Sequence, residues 1–294
     1  MSPRQAVEAV FRDAGVVGCL HAVDIDRGRE FGVGADEPVV LASVFKLPLL
    51  VAFHREVAAG VLDPRSPVTL LPDERYAGPT GISILADPVT MSLRDLAAMM
   101  MTVSDNAAAD EVFAHVGADA VARTLQELEL RGTRVVGDSR TVHDSLLDDS
   151  GAAGAAELWE RLGTPGVLSR VRALDPLRTS ATTCRDMTRL AAAIWRDEAA
   201  PPEECAQMRR LMGLQVWPHR LASGFPYDDV MVSGKTGTLP TIRNEAGVVE
   251  YPDGGRYAVA VFTRSHALAA VAPRADAAIG TAARLAVQYL RAAG

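Results

Sequence analysis

Lysine is nearly absent from this chain. Its 294 residues include 30 basic side chains, and only Lys46 and Lys235 among them are lysine; the rest are arginine. Cysteine is sparse too. Cys19, Cys184 and Cys205 are odd in number and match no zinc-site spacing. Buried free thiols are expected, with a single disulfide between two of them as the alternative. No long basic run appears, and the net charge is −7 with a pI near 5.4, which argues against a nucleic acid partner. No apolar run is long enough to span a bilayer, so no membrane partner is expected. The six histidines are scattered, with no pair spaced as a metal-ligand motif. Glycine-rich phosphate loops and dinucleotide fingerprints are missing as well. Neither a metal nor an organic cofactor is therefore expected. The N-terminus runs straight into a helical pattern without the apolar core of a signal peptide. As written, the chain is expected in the cytoplasm, or outside it if a leader has been removed.

What is present is enough for a large core, since 48% of the residues are hydrophobic. Ala6, Val7, Val10 and Phe11 lie on one helical face, and Gly15 closes that helix. Residues 17–25 read as a strand, Asp26-Arg27-Gly28 as a turn, and residues 31–41 as a second strand. Helical spacing then recurs over 43–60, 92–103, 105–116, 119–130, 183–196 and 203–213, with Ser92 and Asp119 as N-caps and Gly60 and Gly117 as stops. Residues 133–181 are less regular and read as a long loop with one or two short helices. Strands return at 230–238, 245–251 and 257–263, the last two flanking the turn Pro252-Asp253-Gly254-Gly255. A final helix covers about 273–292. The fold expected is α/β, more closely α+β: a mainly antiparallel sheet flanked by the terminal helices, plus an all-helical lobe. Residues 1–42 with 226–294 would form the first lobe and 43–225 the second, with the site at their junction.

Ser43-Val44-Phe45-Lys46 opens a helix, where positions three apart share a face. A serine hydroxyl attacks poorly until a base removes its proton, and a neutral amine can do so. Burial and a second cation both lower a lysine pKa. Arginine cannot serve, because it does not deprotonate in proteins. The pattern alone is weak: roughly one chance Ser-x-x-Lys is expected in a chain of this length at average composition. The lysine scarcity changes that weight. Two lysines placed at random among the basic positions would hit this pair only about once in four hundred trials, and Lys46 is where arginine would fail.

Ser104-Asp105-Asn106 reads most simply as the cap of the helix that follows. Its functional reading gives the Ser104 hydroxyl a proton-relay role and puts Asn106 against a substrate amide or Lys46. Lys235-Thr236-Gly237-Thr238 sits on the strand 230–238, where Gly237 leaves room for a ligand backbone. Lys235, Thr236 and Thr238 offer a cation and hydroxyl donors to a carboxylate, with Arg243 as a further cation. The plain alternative is an edge strand with a solvated lysine.

These three motifs, in this order, resemble those of the class A β-lactamases and penicillin-binding proteins. The resemblance covers most of the chain. It includes Thr80-Gly81-Ile82 and the run from Met91 to Leu96 ahead of the second motif. It also includes Arg178 to Met187 after the omega loop, and Ala246-Gly247-Val248-Val249 after the third motif. It implies that Ser43 is acylated, Lys46 belongs to the base, Ser104 shuttles a proton and Lys235 anchors a substrate carboxylate. The oxyanion hole would be the N–H groups of Ser43 and Thr238. The implied substrate is a β-lactam, ester or peptide-like small molecule, and a monomer is expected.

Two departures concern release of the acyl group. The family's omega-loop motif Glu-x-x-Leu-Asn, whose glutamate activates water, is not found between Ser104 and Lys235. Aligning Gly132 and Arg140 on the family pattern places that glutamate at Val142 or His143. The family's second asparagine after Ser-Asp-Asn is Asp110 here. His143 is the first candidate for a replacement base, because imidazole titrates near neutrality. Asp144 and Asp110 follow, then Asp148, Asp149, Glu157 and Glu160. Three activities stay open: β-lactam hydrolysis, ester or peptide acyl transfer, and slow-turnover covalent binding.

Overall fold

Ser2 starts the first helix by a reciprocal cap with Gln5, and Gly15 in the left-handed region ends it, giving α1 (Pro3–Ala14). The computed structural model describes residues 1–76 and 78–292. Strands β1 (Val16–Asp24) and β2 (Glu30–Val33) follow as a hairpin. The second strand was expected to reach Leu41 and stops at Val33. Gly34 turns the chain at φ +58°, Glu37 N–H donates to the Gly34 carbonyl, and Pro38 has no N–H to give a ladder. The short β3 (Val39–Val40) pairs instead with residues 181–182, outside the main sheet.

A 3-10 turn over Ala42–Phe45 then leads into α2 (Lys46–Ala58). A two-stranded ribbon, β4 (Pro67–Leu70) and β5 (Val89–Ser92), precedes α3 (Leu93–Thr102), which Ser92 caps through the Asp95 N–H. Next come α4 (Asn106–Val116), capped by Asp105, and α5 (Ala118–Glu127). Gly117 is both the end of α4 and the N-cap of α5, so Asp119 sits inside the first turn rather than at the cap. Residues 133–181 hold more helix than their composition suggested. α6 (Ser139–Ser150) and α7 (Ala155–Leu162) flank the Gly/Ala-rich stretch, and β6 (Ala181–Thr182) closes the segment. Helices α8 (Cys184–Trp195) and α9 (Pro202–Gly213) complete the helical part.

Strands β7 (Met231–Leu239), β8 (Ile242–Glu250) and β9 (Arg256–Ser265) return to the sheet, and α10 (Pro273–Ala292) ends the described chain. The sheet order is β2-β1-β9-β8-β7, antiparallel at every pairing. The motif strand β7 is thus an edge. Val7 and Phe11 of α1 pack with Ile279 and Val287 of α10 on one face of the sheet, over Leu20, Val259 and Val261. The opposite face carries Ala258, Ala260 and Phe262 into a larger core with α2, α3, α4, α8 and α9. A third, smaller cluster joins Leu146, Leu158, Leu162 and Leu174 to Val40, Ala42 and Ile242. It clips residues 139–174 against the serine turn, each buried leucine contributing about 1.5–3 kcal/mol. All three cysteines are free thiols, Cys184 and Cys205 buried.

One backbone contact ties α10 to the site. A Cβ on Gly280 would lie 2.5 Å from the Arg220 carbonyl and 2.6 Å from the Gly224 nitrogen. Helix propensity alone would favour alanine there by about 1 kcal/mol. Gly280→Ala is nonetheless expected to destabilise the fold by about 1–3 kcal/mol, because backbone must move to admit the methyl group. A urea unfolding midpoint for the variant checks the sign.

Candidate active site

Ser43 lies in the 3-10 turn, where side chains three residues apart eclipse, so Ser43 and Lys46 fall on one side. The preceding Ala42 sits at φ +48°, a strained conformation for a residue with a Cβ. Asn244 on β8 holds this turn, its side-chain amide donating to the Val40 carbonyl at 2.8 Å. Strand β7 presses on it from the other side. A Cβ at Gly237 would meet the Leu41 carbonyl at 2.8 Å and Val44 Cγ2 at 3.0 Å, so only glycine fits.

Lys46 is wholly buried. Its Nζ donates to the Ser104 carbonyl at 2.8 Å and to Asn106 Oδ1 at 2.7 Å, with Ser104 Oγ at 3.4 Å. Among the described residues no hydrogen bond joins it to Ser43 Oγ; Ser43 lines the adjoining cavity. Burial lowers the Lys46 pKa to about 7, against the pull of Asp110 and Asp105. Ser104 adopts φ +61°, which turns its carbonyl and its hydroxyl toward the same amine. The adjacent Asp105 caps α4 and accepts from Ser83 Oγ and the Ile82 N–H. A Cβ at Gly81 would collide with that carboxylate, which accounts for glycine in the expected Thr-Gly-Ile run.

Lys235 is equally buried and donates to the same Ser104 Oγ at 2.9 Å and to the Thr236 carbonyl at 2.9 Å. Burial and then the charge of Lys46 hold its pKa well below the usual lysine range. Glu245, paired across the ladder from Thr236, opposes that fall. It accepts from Gln215 Nε2 and from the Leu221 N–H, both at 2.7 Å, and Gln215 in turn accepts the Thr236 N–H at 2.7 Å. Neither Glu245 nor Gln215 belongs to a recognisable motif.

Arg243 does not face the cavity. Its guanidinium donates to the carbonyls of Leu239, Ile242, Ala269 and Ala270. The cation beside Thr238 is Arg220, which donates to Thr238 Oγ1 at 2.7 Å and the Gly237 carbonyl at 2.9 Å and pairs with Asp276 at 2.7 Å. One arginine among many gave no signal in the sequence. Thr238 itself lines the cavity.

The cavity floor is α6. Ser139, Val142, His143 and Leu146 line it, with Tyr76 and Asn106 alongside. The register that placed the missing glutamate at Val142 or His143 therefore falls on cavity-lining residues. His143 packs edge-on against the Tyr76 ring at 5.1 Å. Asp144 is turned out, its side chain 60% exposed, and does not line the cavity. Asp149 is taken by Arg172 at 2.9 Å. Asp110 lies behind the floor and accepts the Ser139 N–H at 2.7 Å. Burial, and then the nearby Asp138, raise its pKa from 3.8 to about 6. Ser139 was passed over in the sequence because a serine resembles no missing carboxylate. Among the described residues no three His, Cys, Asp or Glu side chains are grouped to hold a metal ion, and no helix is long and apolar enough to cross a membrane.

An antiparallel sheet backed by two terminal helices, with a serine turn and two buried lysines at its junction with a helical lobe, defines a β-lactamase-type architecture. The chain belongs to the β-lactamase enzyme family, whose model matches residues 2–290. It is similar to the β-lactamase regulatory protein BlaB of Streptomyces cacaoi, at 32% identity over 287 residues covering 92% of each chain. The β-lactamase of Sphaerobacter thermophilus superposes with a TM-score of 0.79 at 24% identity, covering 98% of both chains. PBP-A gives 0.79 at 22% identity, covering 99% of this chain and 96% of its own. A mutant of PBP-A, solved as an acyl-enzyme with penicillin G, gives 0.77 at 22% identity with the same coverage. Family and fold together support an enzyme of the serine hydrolase kind.

The raised Asp110 pKa carries a stability consequence. Above about pH 6 the folded protein holds a carboxylate in a place that disfavours charge. As pH falls from about 6 toward 4 the folded state takes up a proton that the unfolded chain does not, and stability rises. Asp110→Asn is expected to stabilise the protein at pH 7–8 by on the order of 1–3 kcal/mol, with the difference vanishing below about pH 4. Denaturant melts of both proteins at pH 4 and pH 8 check it.

Proposed function

We propose that the protein hydrolyses β-lactams through a Ser43 acyl-enzyme. The observation that carries this reading is the Ser104 hydroxyl held between two buried lysines, Lys46 and Lys235. A neutral Lys46 removes the Ser43 proton as Oγ bonds the substrate carbonyl carbon. The N–H groups of Ser43 and Thr238 receive the developing oxyanion. Lys46 passes the proton through Ser104 Oγ to the leaving nitrogen as the C–N bond breaks. The substrate carboxylate binds Lys235, Thr236 and Thr238, with Arg220 beneath, and Asn106 orients Lys46 and the substrate amide.

A second reading is ester or peptide acyl transfer by the same serine. It is favoured by the cavity lining, in which no carboxylate appears to activate water. A third is a slow-turnover covalent β-lactam binder, a reading favoured by the regulatory name of the Streptomyces relative.

A chromogenic cephalosporin and a nitrophenyl ester separate these, followed by time course and intact mass. Sustained cephalosporin turnover supports hydrolysis, ester turnover alone supports the second reading, and a one-equivalent burst with a lasting adduct supports the third. Ser43→Ala should abolish every adduct; an adduct on that variant removes the mechanism. Lys46→Arg keeps the charge and should still slow acylation by about 100-fold or more, because the neutral base is lost. Wild-type acylation should rise with pH through about 7, as Lys46 loses its proton, and then level.

A further inference from the structure

Buried polar atoms almost always have partners, and two that lack one lie together under the cavity floor. They are Asp110 Oδ2 and Ser139 Oγ. Their residues are already joined, since the Ser139 N–H donates to the other Asp110 oxygen at 2.7 Å. Ser139 lines the cavity with Ser43, and Asp110 does not. Ser139 is therefore the one of the two that borders the cavity beside Ser43. His143 stands one helical turn further along α6 on the same cavity face. On the other side, Asp110 lies one turn beyond Asn106 on α4, and Asn106 holds Lys46.

We propose that Ser139 and His143 hold the water that frees the acyl group from Ser43, and that Asp110 receives that water's proton through the Ser139 hydroxyl. This rests on the acyl-enzyme reading above. A free carboxylate oxygen needs a donor, and a serine hydroxyl can accept from water while donating onward, so one relay satisfies both atoms. As the water oxygen bonds the acyl carbon, one of its protons moves to Ser139 Oγ while the Ser139 proton moves to Asp110 Oδ2. When the bond from the acyl carbon to Ser43 Oγ breaks, the proton returns from Asp110 to Ser139 Oγ and passes from there, through a water in the cavity that both serines line, to Ser43 Oγ. Water has then been added across the ester with no proton gained or lost. Asp110 must be ionised to accept, and the groups bearing on its charge are Lys46 on α2, Asp138 ahead of α6 and the Tyr76 phenol. Its pKa near 6 leaves it ionised and basic at neutral pH.

The test measures acylation and deacylation separately on the whole protein, by stopped flow and intact mass, with a chromogenic cephalosporin and a nitrophenyl ester. Ser139→Ala and Asp110→Asn should acylate within about threefold of wild type and deacylate about 100-fold more slowly, so that the Ser43 adduct accumulates. Wild-type deacylation should rise with pH through about 6, and Asp110→Asn should lose that rise. Unchanged deacylation in both variants overturns the relay, and so does a loss confined to His143→Ala, which would make His143 the base. If wild type forms no adduct with either compound, the acyl-enzyme reading has failed, and the relay falls with it. Ser139→Ala removes one oxygen and leaves the N–H bond to Asp110, so it keeps the test open if the Asp110 variant fails to fold.

Discussion

Two cations share one hydroxyl at the centre of this protein. Lys46 and Lys235 are both sealed from solvent, and both reach Ser104 Oγ. Water would solvate each far better than a protein interior does, and the charges repel. Such a pair persists only if the surroundings supply enough oxygen and carboxylate to replace water. They do so from every side: the Ser104 and Thr236 carbonyls, Asn106 Oδ1, and the carboxylates of Asp105, Asp110 and Glu245. The arrangement also joins the two parts of the fold, because Lys46 opens α2, Ser104 lies in the turn between α3 and α4, and Lys235 comes from the edge strand.

The cost of that arrangement is visible in the backbone. Ala42 and Ser104, beside and within the site, both adopt positive φ without being glycine. Gly237 and Gly81 allow contacts that any Cβ would block. Asp110 belongs with these features. It is unfavourable as a stability element and suited to act as a base, a combination expected of a group kept for chemistry.

Much of the site could be read in the chain because arginine fills all but two of its basic positions, and both exceptions are at the site. The short motifs also carry their own local geometry: Ser43 and Lys46 share one side of the 3-10 turn, and Asp105 caps its helix as its sequence position suggests. Arg243 is the strand partner of Thr238, yet its guanidinium is occupied by the carbonyls of Leu239, Ile242, Ala269 and Ala270. Arg220, in the loop after α9, bonds Thr238 instead, at a sequence distance no pattern marks. The same is true of Gln215, Glu245 and Ser139. Asn244 is the exception with hindsight, since asparagine occurs only at positions 106 and 244, and both hold the serine machinery.

Local patterns by themselves marked most of the helices, the strand hairpin and the motifs that contain Ser43, Lys46, Ser104 and Lys235. Those depend on periodicity, turn residues and short sequence motifs. The tertiary structure decided which cation stands by Thr238, how the two lysines meet at Ser104 Oγ, and what lies beneath the cavity floor. Each of those depends on side chains 18 or more residues apart being packed together, and on which polar atoms that packing leaves without a partner. No window along the chain contains that information.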